Sequence, residues 1–189
     1  MSPDQTTVVN TANVSPDATN SNSTNGTVAT TPARTFPGIL PDDQRLNKTA
    51  TISTAKGDIV IQLFGDTAPK TVSNFIALAQ SKFYDGLVFH RRDDSIHIIQ
   101  GGDPNGNGTG GPGYTFEDEL NDSYTYTKGM VAMANRGPDT NGSQFFIMIG
   151  DFPLQKDYTI FGKVISGQDV ADQIQPGDVM KTVTIAAAK

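Results

Sequence analysis

The chain has 189 residues, a net charge of −6 and no cysteine, which suits one domain plus an appendage and excludes disulfides, thiol catalysis and cysteine-based zinc sites. The only histidines are His90 and His97, so a histidine-rich metal centre is excluded too, and no metal or other cofactor is expected. Lys and Arg are dispersed without a basic stripe, which argues against a nucleic-acid partner, and no apolar run approaches the ~20 residues needed to cross a bilayer.

Residues 1–45 are mostly Thr, Asn, Ser, Pro, Ala and Asp with isolated hydrophobes. Such a segment buries too little apolar surface to offset its ordering entropy, and it is expected to form a disordered tail or stalk. It lacks the basic-then-apolar pattern of a signal peptide. Its composition is that of a stalk whose anchor has been removed, which raises the expectation of an extracytoplasmic, tethered protein, with a cytoplasmic one as the alternative. Residues 46–189 have the length of one well-packed domain.

Within that domain, residues 49–55 and 58–64 are β-rich runs around Lys56-Gly57, a hairpin signal. A helix follows, with Pro69 in its first turn and Val72, Phe75, Ile76 and Ala79 at helical spacing. Tyr84-Asp85-Gly86 turns the chain into a strand over 87–91. Further strands are predicted at 98–100, 130–134, 144–149, 158–164 and 179–186, with a short helix over 169–175 that turns Val170, Ala171 and Ile174 inward. Many short strands with glycine turns and two helices argue for a mainly β, closed or nearly closed antiparallel barrel.

Three segments stand out: Phe89-His90-Arg91, Gln100-Gly101-Gly102-Asp103, and the run from Met133-Ala134-Asn135-Arg136 through Gln144-Phe145-Phe146-Ile147. Phe161-Gly162-Lys163-Val164 and the glycine-rich run 106–111 support them. Together, and in this order, they resemble the cyclophilin family over about residues 50–185. The resemblance is to bacterial members. It implies an eight-stranded closed antiparallel barrel capped by two α-helices, with a peptide groove on its outer wall. It also implies a monomer that acts on proline-containing polypeptides as a peptidyl-prolyl cis/trans isomerase.

The chemistry such an activity needs can be stated directly. An Xaa–Pro bond rotates over a barrier of about 18–20 kcal/mol because rotation destroys amide resonance. A catalyst needs an apolar recess for the pyrrolidine ring, groups that hold the flanking backbone, and a cation that favours the twisted amide. Each ~1.4 kcal/mol of preference for the twisted state gives a tenfold rate gain. By resemblance Arg91 is that cation, and Gln100 bonds substrate backbone and steadies it. Taken alone, Arg91 would read as a surface arginine paired with Asp93 or Asp94.

The resemblance also assigns substrate-binding positions to Phe89, His90, His97, Ile98, Ala134, Asn135, Arg136, Gln144, Phe146, Leu154 and Tyr158. Asn135 offers its main chain to a substrate strand, and Ile98, Phe146 and Leu154 wall the proline pocket. Because side chains alternate along a strand, one of Phe145 and Phe146 faces the interior and the other the groove, and the resemblance gives the groove to Phe146.

The sequence departs from the family pattern in three places. The stretch 92–99 is longer and more charged; counting back from Gln100 puts His97 at the place of a pocket phenylalanine, unless Ile96 reaches it through a bulge. His90 is expected to hydrogen-bond or pack beside the groove. No tryptophan occurs near Phe152-Pro153, which implies weak cyclosporin binding. Arg136 stands where a small residue guards a neighbouring pocket, and it is expected to narrow that pocket or favour acidic side chains upstream of proline.

Two rival readings compete for these residues. Gly106, Gly108 and Gly111 match a dinucleotide-binding spacing, but Pro112-Gly113 follows where a helix should begin. The stronger alternative is a proline-peptide binding module or chaperone with little turnover.

Overall fold

The structure, a computed structural model, describes residues 34–188. The first elements among them are a single helical turn, α1 (Asp42–Arg45), and the hairpin β1 (Lys48–Ser53) and β2 (Asp58–Leu63). Gly57 turns that hairpin at φ 129°, a conformation closed to side-chain-bearing residues. Cross-strand pairs Ile52↔Ile59 and Ala50↔Ile61 put four fully buried side chains on one face.

Helix α2 (Pro69–Gln80) follows, with Pro69 in its first turn. Its free N-terminal amides are satisfied from far along the chain: the Glu119 carboxylate accepts from Lys70 N and Thr71 N at 2.9 and 2.8 Å, which suits the positive end of a helix. Val72, Phe75 and Ile76 are wholly buried, and Ala79 nearly so. Phe75 lies within 5.0–5.6 Å of Tyr84, Phe161 and Phe145, making an aromatic centre for the core.

The remaining strands are β3 (Arg91–Asp93), β4 (Ile98–Gly101), β5 (Met130–Met133), β6 (Phe145–Met148), β7 (Ile160–Ser166) and β8 (Thr182–Ala187), with α3 (Gln168–Gln173) between the last two. All ladder pairings are antiparallel, and among the described residues eight strands form one sheet in the order β3-β4-β6-β5-β7-β2-β1-β8. The expected closed barrel is therefore seen as a continuous eight-stranded sheet with β3 and β8 at its ends. Of the segment expected as a strand over 87–91, Arg91 opens β3, and the rest contributes an isolated bridge, Val88↔Val179. Gly86 N and Phe89 N donate to Met180 O and Asp178 O, and Met180 N and Gly177 N donate to Leu87 O and Phe89 O.

Side-chain alternation divides the apolar residues into two clusters. One lies inside and contains Ile59, Phe75, Phe89, Ile99, Phe145, Ile147 and Phe161. The other lies on the opposite face and contains Ile98, Tyr126, Ala132, Phe146, Met148 and Ile160. Phe145 is inside and Phe146 outside, as the period of two requires.

The domain boundary expected at residue 46 is corrected. Residues 34–45 pack on the domain: Phe36 stacks on Phe116 at 5.1 Å, Leu40 N donates to Ser73 Oγ at 2.9 Å, and the Arg45 guanidinium donates to Leu40 O and Gly65 O. Arg34 lies 4.8 Å from the Phe83 ring centroid. Isolated hydrophobes carry no periodic signal, so their docking was not legible. The rest of the expected tail lies outside the described residues.

Candidate active site

The β3–β4 hairpin places the residues that matter most. Its register pairs Arg91 with Gln100 and Asp93 with Ile98, and residues two apart share a face, so these four point to the same side of the sheet. Arg92 points the other way, donating to Asp172 O and Ile174 O. The connection, residues 94–97, ends on His97 at φ 55°, an uncommon left-handed conformation.

That single dihedral decides which side chain enters the site. His97 is exposed and turned toward Gly150, against which its ring packs, and its carbonyl accepts from Ile149 N. Ile96 instead lines a recess of about 130 Å³, together with Arg91, Ile98, Gln100, Ala134, Asn135, Phe146, Leu154 and Tyr158. The placement of His97 in the pocket is thus corrected in favour of Ile96.

Phe146 is nearly buried at the base of the recess, edge-on to Tyr158 at 5.4 Å. Tyr158 is held in turn by Tyr126, whose hydroxyl donates to Tyr158 O at 2.8 Å and accepts from Tyr158 N at 3.2 Å. The sequence reading missed Tyr126, which belongs to none of the recognised segments.

The guanidinium at the rim is held on two sides. Arg91 Nη2 donates to Asp93 Oδ2 at 2.6 Å, and Nη1 to Gln100 Oε1 at 3.3 Å. The chain of bonds continues: Gln100 Nε2 donates to Gln144 Oε1 at 2.9 Å, and Gln144 Nε2 donates to Gly108 O and Gly110 O at 3.0 and 2.9 Å. The glycine-rich loop that supplies these carbonyls is organised by Asp103. That buried carboxylate accepts from Asn105 N, Asn107 N and Gly108 N at 2.8, 2.9 and 2.5 Å. Burial pushes the Asp103 pKa up, but the three amides outweigh it and the net shift is down.

Asp93 is held at about 2, first by the Ser95 hydroxyl and then by Arg91. His90 is pushed down, chiefly by burial, with Asp103 opposing and Arg91 reinforcing the shift. Its two ring nitrogens are buried without a hydrogen-bond partner among the described residues, and the ring is not part of the recess lining. Of the two expectations for His90, a hydrogen bond or packing beside the groove, the hydrogen bond is not made among the described residues. Phe89 is fully buried in the inner cluster; regular alternation would give residues 89 and 91 one face, but β3 begins only at Arg91, and the irregular backbone before it turns Phe89 inward. Its assignment to substrate binding is corrected to core packing.

A second recess of about 120 Å³ adjoins the first, sharing Gln100, Ala134 and Asn135, and is walled by Gln144, Tyr114, Thr140 and the glycine-rich loop. Arg136 reaches across it to donate to Gly108 O at 2.9 Å. Asn135 stands between the two recesses. Its Nδ2 donates to Asp157 O at 2.7 Å, while its own backbone N–H and C=O make no bond among the described residues. Among the described residues no three His, Cys, Asp or Glu side chains converge to hold a metal ion. No helix there is long and apolar enough to cross a membrane.

The comparisons with known proteins agree with this geometry. Residues 49–189 match the family described as cyclophilin type peptidyl-prolyl cis-trans isomerase/CLD. The peptidyl-prolyl cis-trans isomerase A of Mycobacterium tuberculosis is 50% identical over 137 residues, covering 64% of this chain and 75% of that one. The peptidyl-prolyl cis-trans isomerase of Helicobacter pylori is 43% identical over 152 residues, covering 77% and 93%. A cyclophilin-type isomerase of Cryptosporidium parvum superposes with a TM-score of 0.69 at 35% identity, covering 75% of this chain and 99% of that one. A second structure of that protein, solved in the presence of the dipeptide Ala-Pro, gives 0.67 at 36% identity, covering 73% and 98%. The chain belongs to the cyclophilin-type peptidyl-prolyl cis-trans isomerases, enzymes that interconvert the cis and trans forms of Xaa–Pro bonds.

Proposed function

We propose that the recess lined by Ile96, Ile98, Phe146 and Leu154 receives the pyrrolidine ring of a polypeptide substrate, and that Arg91 is the catalytic cation. The observation that carries this reading is a guanidinium held by two partners at the rim of an apolar recess. The Ala-Pro dipeptide used with the related Cryptosporidium protein supports the same ligand chemistry.

The mechanism needs no covalent step. In the planar amide the prolyl nitrogen lone pair is delocalised into the carbonyl; as the bond twists, the pair localises on nitrogen and can accept a hydrogen bond. A fixed N–H donor at that position stabilises the twisted amide more than either planar form, which is the condition for catalysis. Arg91 retains guanidinium donors beyond the two engaged by Asp93 and Gln100. Asn135 offers an unpaired N–H and C=O to the flanking substrate backbone, in the manner of an added strand.

In this reading the barrel closes through the bonds between 86–89 and 177–180, which set the starting point of β3.

Arg91→Ala should lower the isomerisation rate of a proline peptide about 100-fold. Since Arg91 is exposed, its loss should change stability by less than ~0.5 kcal/mol. Unaltered turnover, or loss of folding in place of rate, would refute the assignment.

Arg136 gives the second recess its selectivity. Among the described residues it has no carboxylate partner within 4 Å, and no other charged side chain lines the recess. An acidic side chain upstream of proline should be preferred over a basic one by up to about fivefold, the size of an exposed ion pair. Paired Glu- and Lys-containing peptides measure this, and the preference should vanish in Arg136→Ala.

A further inference from the structure

We infer that Asp93 is a positioning residue for Arg91: with Ser95 it forms a bracket, built into the β3–β4 turn, that aims the guanidinium at the recess. This rests on the reading of Arg91 given above.

A long arginine side chain free in water loses much rotamer freedom when it is fixed. A group whose effect depends on being in place before the amide twists gains from having that loss met in the resting enzyme. Arg91 is roughly half exposed, 46% of its side chain, so packing alone does not fix it. Its bond to Gln100 is long, at 3.3 Å, and its bond to Asp93 is the shorter one, at 2.6 Å.

The carboxylate is itself immobilised. Oδ1 accepts from Ser95 N at 3.0 Å and from Ser95 Oγ at 2.5 Å, leaving Oδ2 for the arginine. Such a local turn bond is set by the sequence Asp93-Asp94-Ser95 alone. Strand alternation then does the rest, because residues 91 and 93 share a face and Arg92 is sent to the far side. The Ser95 hydroxyl and Arg91 hold the carboxyl well below the usual carboxylate range, so the bracket is charged at neutral pH.

An exposed ion pair contributes little to stability, so the bracket can be removed without unfolding the protein. Asp93→Ala should lower kcat about fivefold to tenfold with KM changed less than twofold. Asp93→Asn, which keeps one acceptor oxygen for Arg91, should fall between. The decisive comparison is the double variant: a residue that acts only through Arg91 has no further effect once Arg91→Ala is made. In parallel, ¹⁵N relaxation of the Arg91 Nε–H should show an ordered side chain in the wild type and a freely moving one in Asp93→Ala. Wild-type kcat in Asp93→Ala overturns the inference. So does the same fractional loss in the Arg91→Ala background, or an equally ordered guanidinium without the carboxylate. Full activity of Arg91→Ala alone would instead remove the underlying reading of the site.

Discussion

Ile96 and His97 are neighbours with opposite fates, and one backbone angle separates them. At φ 55° His97 cannot continue the strand geometry, so its ring leaves the sheet face and packs against Gly150, while Ile96 turns into the recess. A side chain in the left-handed region costs about 1–2 kcal/mol relative to one in the ordinary regions, and asparagine tolerates that region better. His97→Asn should therefore hold or slightly raise stability and leave turnover within about twofold. Ile96→Ala should raise KM for proline peptides several-fold, the loss expected from deleting half-buried methylenes. Steady-state kinetics on the two variants decides it; the opposite pattern would put the imidazole back in the pocket.

At the scale of elements, the arm of residues 34–45 shows how a segment without periodicity becomes part of a domain. Phe36 supplies two ring contacts, to Phe116 at 5.1 Å and to Tyr114 at 6.1 Å. Tyr114 in turn lines the second recess and donates its hydroxyl hydrogen to Asn74 Oδ1 at 2.6 Å. Phe36→Ala should cost about 1–2 kcal/mol, because a partly buried stacked ring is lost. For a protein of this size that is a fall of roughly 2–8 °C in Tm. Calorimetry would show it, and an unchanged Tm would make the arm an idle passenger on the domain surface.

Glycine at 102 belongs to the same scale. Its φ is 82°, and a Cβ there would lie 2.3 Å from Ser143 O, so the end of β4 can approach the wall of the second recess only without a side chain. That close approach is what lets Ser143 Oγ donate to Gly102 O at 2.7 Å.

For the whole molecule, the relay from Asp103 through the glycine-rich loop and Gln144 to Gln100 and Arg91 links acid stability to the site. Asp103 has a folded-state pKa below its ordinary value. Its stabilisation is therefore complete above the ordinary carboxylate pKa of ~3.9 and is lost as pH falls through the lower, folded-state value. His90 has the same sign, because burial disfavours its charged form; its contribution begins to fade as pH drops through about 6.5. Asp103→Asn should lower stability at neutral pH by about 2 kcal/mol, the scale of hydrogen bonds to a charged acceptor, and flatten the acid dependence between pH 5 and 2. Denaturant titrations across that range test it. An acid limb of unchanged steepness would mean that other carboxylates dominate.

Local chemistry alone made much of this legible. Helical spacing around Phe75, the Gly57 hairpin and the split between Phe145 and Phe146 follow from periods of 3.6 and 2.0 and from glycine's access to positive φ, none of which needs a tertiary partner. The family resemblance also named most of the recess: Arg91, Ile98, Gln100, Ala134, Asn135, Phe146, Leu154 and Tyr158 all line it. The tertiary structure decided what depends on approach from elsewhere. It sent Phe89 inside and His97 away from the pocket, docked Phe36 and Leu40, and set Asp93 behind Arg91 and Tyr126 behind Tyr158. The physical reason is that periodicity says which face a residue takes, whereas the neighbour it meets on that face is fixed only when distant segments pack together.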